Sequence, residues 1–157
     1  EKYKNIWHHG DFAKITDNGG FIIFGRSDTT LNPGGVRLGT AEIYSVVEKF
    51  KEIQESIVIG QSWNNDIRII LFIVLNKSYN LTDKIKDKIK KEIKVKVSPR
   101  HVPSKIIPIL EIPKTKNGKL VELAVKQTIE GKAIKNLEAL ANPDSLKQFR
   151  NIKELNE

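Results

Sequence analysis

Four short stretches of the chain hold the residues whose types and spacing could do chemistry. Asp11 closes Trp7-His-His-Gly-Asp11, and a second carboxylate ends Gly25-Arg-Ser-Asp28. Gly34 and Gly35 lie in a segment, Thr29 to Gly39, that is rich in Gly, Pro and Asn. Lys119 ends Pro113-Lys-Thr-Lys-Asn-Gly-Lys119, where Asn117-Gly118 is a tight-turn signal that presents the lysine. Carboxylates accept hydrogen bonds and lysine is a compact cation. Glycine lets a backbone approach a ligand closely. Taken singly, each stretch is also an ordinary turn or an exposed basic loop, so order and spacing carry the reading.

Composition removes several chemistries. There is no cysteine, hence no disulfide, thiolate metal site or cysteine nucleophile. His8, His9 and His101 are too few for an ordinary zinc site, and adjacent histidines in a strand point to opposite faces, so no metal site is expected. No apolar run approaches the roughly 20 residues of a membrane helix, and no signal peptide opens the chain. The chain starts at Glu1 and contains no methionine, which reads as a piece of a longer protein. Its net charge is +8, from 27 basic and 19 acidic residues, and the surplus is densest between Lys84 and Lys105. Such a surface suits a polyanion: nucleic acid, a nucleotide cofactor or an acidic protein.

The elements that must position these residues follow from periodicity. Gly10 to Thr16, a turn at Asp17-Asn-Gly-Gly20 and Phe21 to Phe24 read as a β-hairpin, with both central turn residues at positive φ. Gly25-Arg-Ser-Asp28 then breaks the strand. Thr40 is the expected N-cap of a helix to Lys51, with Ile43, Val46, Val47 and Phe50 on one face. Glu55 to Gly60 and Ile67 to Leu75 read as antiparallel strands joined near Asn64-Asn-Asp66. Thr82 caps a second helix in which Ile85, Ile89 and Ile93 recur every four residues. Ile106 to Leu110 reads as an edge strand because of Pro108. Val121 to Ile129 is a short helix closed by Gly131, and Lys132 to Glu157 a polar tail with short helical fragments around Ile134, Leu137 and Leu140 and around Leu146, Phe149 and Ile152. The predicted class is α+β, an antiparallel sheet with helices on one face, preceded by the hairpin.

The series of four stretches resembles the C-terminal motifs of the adenylate-forming superfamily, which includes acyl-CoA synthetases, luciferases and peptide synthetase adenylation domains. The resemblance runs from about Trp7 to Gly131. Within the superfamily the chain is most similar to the acetoacetyl-CoA synthetase family. The blocks that suggest it are Leu31-Asn-Pro-Gly-Gly-Val-Arg-Leu-Gly-Thr-Ala-Glu-Ile-Tyr44, Ser98-Pro-Arg-His-Val-Pro103, Asn117-Gly-Lys-Leu-Val-Glu-Leu-Ala-Val-Lys-Gln127 and Asn142-Pro-Asp-Ser-Leu146. Acetyl- and propionyl-CoA synthetases usually carry Ser-Gly-His-Arg where this chain has Gly34-Gly-Val-Arg37, and arginines where Leu120-Val-Glu-Leu123 follows the lysine.

What the resemblance implies is a mobile lid. Residues 1–27 are then the last hairpin of a large N-terminal adenylation domain, 28–131 the lid and 132–157 a tail. Lys119 is the implied adenylation lysine, offsetting charge as a carboxylate attacks the α-phosphate of ATP. Asp11 and Arg26 are implied to contact the ATP ribose, and Arg37 the adenylate phosphate after the lid rotates. Asp28 is the implied hinge. Gly34 and Gly35 line the implied pantetheine tunnel, and Lys90 falls where a basic residue receives the CoA 3′-phosphate. ATP and CoA are the implied cofactors, with Mg2+ held by the N-terminal domain. The expected partners are that domain, ATP, CoA and a short carboxylate, with neither nucleic acid nor membrane, in the cytoplasm. The lid of another short-chain acyl-CoA synthetase is the alternative within the superfamily, and a basic nucleic-acid-binding domain the alternative from another class. The absence of an aromatic ring other than His101 between Thr82 and Lys105 counts against it.

Overall fold

The computed structural model describes residues 4–6, 9–134 and 136–157. Trp7 and His8, and with them part of the first motif and the paired histidines, lie outside the described residues. β1 (Asp11–Ile15) and β2 (Phe21–Arg26) form a two-stranded antiparallel sheet. Their turn is wider than the two-residue Asn-Gly form expected. Within it, only Gly19 has a left-handed φ (77°). The Thr16 hydroxyl accepts from the Gly20 N–H at 3.0 Å, and the Gly19 N–H donates to the Thr16 carbonyl at 2.9 Å. β2 also continues through Gly25 and Arg26, because a bulge at Phe12/Ala13 restores pairing beyond Ile23. The expected break therefore begins only at Ser27.

The second sheet has the order β3 (Ile53–Trp63), β4 (Asp66–Leu75), β5 (Lys105–Pro108). Asn64 and Asn65, at φ 48° and 62°, close the β3–β4 hairpin with the two left-handed residues that match its twist. β5 is an edge strand, as Pro108 requires, but it runs parallel to β4. The sheet is thus mixed rather than antiparallel throughout, since the helix Asp83–Lys96 and the Ser98–Pro103 segment carry the chain back before β5 begins.

β4 is buried on both sides, and period-two alternation divides its residues between two cores. Ile69, Leu71 and Ile73 join Ile43, Val47, Ile89 and Ile93 of α1 (Thr40–Val47) and α2 (Asp83–Lys96). Ile70, Phe72 and Val74 join Val125 of α3 (Glu122–Ile129) and Leu140, Leu146, Phe149 and Leu155. Helical elements therefore cover both faces, which corrects the one-face expectation. The helical fragments expected after Gly131 are short 3₁₀ turns at Leu137–Ala139, Pro143–Phe149 and Lys153–Asn156, and the segment is less polar in its packing than expected, since it contributes Leu140, Leu146, Phe149 and Leu155 to the second core. Phe149 meets Phe72 edge-on, ring centroids 5.0 Å apart. Arg68, stacked 3.7 Å from the Trp63 ring centre, ties down the chain end by donating to the Leu155 and Glu157 carbonyls.

Two helix boundaries differ in instructive ways. α2 is capped as expected, the Thr82 hydroxyl accepting from the Ile85 N–H at 3.3 Å. α1 is capped by Gly39 instead of Thr40 and ends at Val47, four residues early. A Cβ on Gly39 would lie 2.4 Å from the Phe24 carbonyl oxygen, so the hairpin seats directly on this cap. Among the described residues no helix is long and apolar enough to cross a membrane.

Candidate functional site

The hairpin brings three of the singled-out residues together. Asp11 faces Arg26 in register across β1 and β2. The Arg26 guanidinium donates to both carboxylate oxygens of Asp28, Nε at 3.2 Å and Nη2 at 3.0 Å. That fork lowers the Asp28 carboxyl below its ordinary value, chiefly through the hydrogen bond, and raises Arg26 for the same reason. Asp11 is half-buried and pairs with His9, Nδ1 to Oδ2 at 2.5 Å. Gly10, at φ 88°, leads into β1 against the flat side of Arg26.

The glycine loop is closed at its base by a pair of backbone hydrogen bonds between Leu31 and Leu38, 3.0 and 2.9 Å. Gly34 and Gly35 are exposed at φ 57° and 77°, a conformation that disfavours any side chain. The loop is held from the side by Asp66 at the β3–β4 turn. Its carboxylate oxygens accept the Gly34 N–H at 2.8 and 3.1 Å, and Oδ1 accepts the Ile67 N–H at 2.7 Å. These backbone donors, Ile67 first, lower the Asp66 carboxyl. Arg37, at the far side of the loop, is exposed and lies 5.5 Å from the Phe12 ring centre.

Beneath Arg37 sits a buried histidine. His101 Nδ1 is 2.8 Å from Ser98 Oγ and Nε2 is 2.9 Å from Glu42 Oε2. Serine, histidine and a carboxylate are the members of a nucleophilic triad. Here Ser98 Oγ also accepts from the Arg100 N–H at 3.2 Å, as cap of a 3₁₀ turn. We read the group as a structural relay that fixes Glu42 and the start of α1 beside Arg37. Tyr44 performs a similar task deeper in. Its hydroxyl donates to Glu122 Oε1 at 2.5 Å and accepts from the Val58 N–H at 3.0 Å, joining α1, β3 and α3. Burial, then the Glu122 charge, pushes this phenol well above its ordinary value.

Lys119 ends a tight turn that leads into α3. The Thr115 N–H donates to the Lys119 carbonyl at 2.9 Å, and the Lys119 N–H donates to Thr115 Oγ1 at 3.1 Å. Gly118, at φ 75°, makes the turn between them. The Lys119 side chain is exposed and has no ion-pair partner among the described residues. Lys114, a nearby competitor, is occupied by Glu55 of β3. Lys90 stands on α2 amid lysines partly neutralised by neighbours: Lys86 by Asp83 and Lys96 by Glu92. Among the described residues no cluster of three His, Asp or Glu could hold a metal ion.

The structure therefore brings Asp11, Arg26 and Asp28 together, places Arg37 of the glycine loop over Phe12 of β1, and lines one cavity with Asp28, Asn32 of that loop and Glu122, three residues after Lys119. Sequence reasoning missed Asp66, Tyr44, His101 and Asn142 as organisers. His101 and Asn142 stand inside quoted blocks, but their partners lie 59 and 28 residues away, and only the fold reveals them.

Residues 42–119 match the family described as AMP-binding enzyme C-terminal domain. Acetoacetyl-coenzyme A synthetase of Rhizobium meliloti (strain 1021) is 52% identical over 155 residues, covering 99% of this chain and 24% of that protein. Acetoacetyl-CoA synthetase of Xenopus tropicalis is 44% identical over 98% of this chain and 23% of its own length. The solved acetoacetyl-CoA synthetase from Streptomyces lividans superposes with a TM-score of 0.85 at 38% identity, over 96% of this chain and 23% of that one. ATP-bound MatB from Rhodopseudomonas palustris, 21% identical, shares the fold with a TM-score of 0.68 over 78% of this chain and 24% of its own. The chain thus spans about a quarter of the length of the relatives it matches.

Proposed function

From a chain whose residues 42–119 belong to the AMP-binding enzyme C-terminal domain family, we propose that it serves as the lid of an acid-thiol ligase that joins acetoacetate to CoA. The observation that carries this reading is the 52% identity to a protein named acetoacetyl-coenzyme A synthetase, sustained over 99% of the chain. The exposed Lys119 at the tip of a tight turn and the Asp11–Arg26–Asp28 group support it from the geometry.

In the first half-reaction an acetoacetate oxygen attacks the α-phosphorus of ATP. The bond from that phosphorus to the bridging oxygen breaks, and diphosphate leaves. Negative charge accumulates between attacking and departing oxygens, and the Lys119 ammonium offsets it. Asp11 accepts from the two ribose hydroxyls, which a carboxylate's paired oxygens suit. In the second half-reaction the CoA sulfur, having lost its proton, attacks the acyl carbon. The bond to the AMP oxygen breaks and AMP leaves. Rotation about Asp28 replaces the Lys119 face with the glycine loop, whose exposed Gly34 and Gly35 leave room for the pantetheine arm. Arg37 turns toward the adenylate phosphate and Lys90 faces the CoA 3′-phosphate. Mg2+ and the acyl pocket are assigned to residues outside this chain, and the setting is cytoplasmic.

Lys119→Ala in the full-length enzyme tests the assignment. Adenylate formation should fall by about 10²–10³-fold, as on removal of a transition-state charge donor, while thioester formation from supplied acetoacetyl-adenylate persists. Equal loss of both halves would sink the role. Preference for acetate or propionate over acetoacetate would sink the substrate.

A further inference from the structure

We propose that Ala139–Asn142 form a strap that sets the position of Lys119, with Asn142 as a positioning residue for the adenylation half-reaction. The proposal rests on the catalytic role given to Lys119 above. A lysine on a flexible stem is only as well placed as the backbone beneath it. In its own loop the Lys119 backbone is tied to Thr115, and Leu120 forms a bridge with Lys114. Thr115 is in turn tied to residues that follow α3. It forms a bridge with Leu140, the Lys116 N–H donates to the Ala139 carbonyl at 3.0 Å, and the Ala141 N–H donates to the Lys114 carbonyl at 2.9 Å.

Asn142 completes the ladder with its side chain. Oδ1 accepts the Lys114 N–H at 2.8 Å and Nδ2 donates to the Ile112 carbonyl at 3.0 Å. Backbone groups of Ile112, Lys114 and Lys116 therefore all rest on four consecutive strap residues. The strap is itself anchored. Leu140, Leu146 and Phe149 are buried in the second core, and the Asn142 carbonyl accepts from the Ser145 hydroxyl at 2.6 Å. From Phe72 in β4 the support runs to Phe149, along the Pro143–Phe149 turn to Asn142 and Leu140, and from these to Lys114 and Thr115, on which Lys119 rests. The segment after Gly131 thus acquires a task in catalysis without touching substrate.

The test uses the full-length enzyme with Asn142→Ala, Asn142→Asp and Lys119→Ala. Adenylation is read by pyrophosphate exchange with acetoacetate, and thioester formation from supplied acetoacetyl-adenylate. Hydrogen exchange follows the Ile112–Leu120 amides. A displaced catalytic group costs on the order of ten- to a hundred-fold. Asn142→Ala should therefore lower kcat for adenylation about tenfold or more with KM little changed, spare the thioester step and speed exchange at Lys114 and Lys116. Asn142→Asp keeps the acceptor and loses the donor to Ile112, so it should fall between. It carries the same test should Asn142→Ala not fold. Equal loss in both half-reactions, or normal adenylation in Asn142→Ala beside a dead Lys119→Ala, would overturn the strap alone. Normal adenylation in Lys119→Ala would overturn the role of the lysine itself.

Discussion

The two loops proposed to serve the two half-reactions are held in opposite ways. The Lys119 loop lies on a ladder of neutral amides supplied by Ala139–Asn142 and backed by a buried aromatic pair. The Gly34–Gly35 loop is closed by one pair of backbone bonds and braced by the carboxylate of Asp66, which stands in solvent at a hairpin turn. A point charge must be delivered to a fixed place, and a packed ladder supplies that. A loop that admits a thin cofactor arm needs a particular backbone shape more than a fixed address, and a single carboxylate is enough to select it. The difference teaches that rigidity in this chain is distributed by chemical task.

The comparison breaks most severely at Phe149. Truncating it to alanine removes one ring of the 5.0 Å pair and opens a cavity in the second core. Core Phe→Ala changes cost about 3–5 kcal/mol. We expect a fall of that size in chemical denaturation, with exchange at Thr115 and Lys116 rising more than at Gly34. Equal rises at both loops would mean that the second layer does not belong to the Lys119 loop in particular.

A smaller effect sharpens the other side. Asp66→Ala should free Gly34 and slow thioester formation by about tenfold, the scale of a modest misplacement, leaving adenylation near its original rate. The same bond can be broken with acid. The folded Asp66 carboxyl is depressed, so its contribution is present above the unfolded pKa and is lost as pH falls through the folded one. The protection factor at Gly34, its exchange relative to the intrinsic rate at the same pH, should therefore fall in acid while the non-titrating ladder at Lys116 keeps its protection. Parallel loss at both amides would erase the distinction.

These contrasts also explain how much of the molecule was legible beforehand. Elements specified by local chemistry could be read: Asn64-Asn65 for a twisted hairpin, Thr82 for a cap, and isoleucines every four residues for α2. The second core was legible only in part. The three-residue spacing of Leu137 and Leu140, and of Leu146, Phe149 and Ile152, marked helical fragments, but nothing local said that β4 would bury Leu140, Leu146, Phe149 and Leu155, so 132–157 was read as polar. The direction of β5 was equally hidden, because alternation reports faces and not polarity along the strand. Gly39 was read past as loop because its reason, the Phe24 carbonyl, lies across the fold. Lys119 stood out only through its motif, and the residues that position it only through long-range hydrogen bonds.

The smallest expected effect concerns the segment that joins the hairpin to the rest. Arg26 and Asp28 form a forked pair, but both side chains are about half exposed, so solvent screens it and its worth to folding is about 0–1 kcal/mol. The raised arginine stays charged at any pH the protein would survive, so only the aspartate titrates. Its folded carboxyl is depressed, hence the pair stabilises above the unfolded pKa and is lost as pH falls through the folded value. Asp28→Asn should thus leave stability at neutral pH nearly unchanged and flatten its acid limb slightly. It would also release a guanidinium that the fork now occupies. If Arg26 serves the nucleotide, as the resemblance implies, this variant should bind ATP at least as tightly while the rotation between half-reactions slows. A weaker grip on ATP would mean that Asp28 orients Arg26 for the nucleotide instead of competing for it.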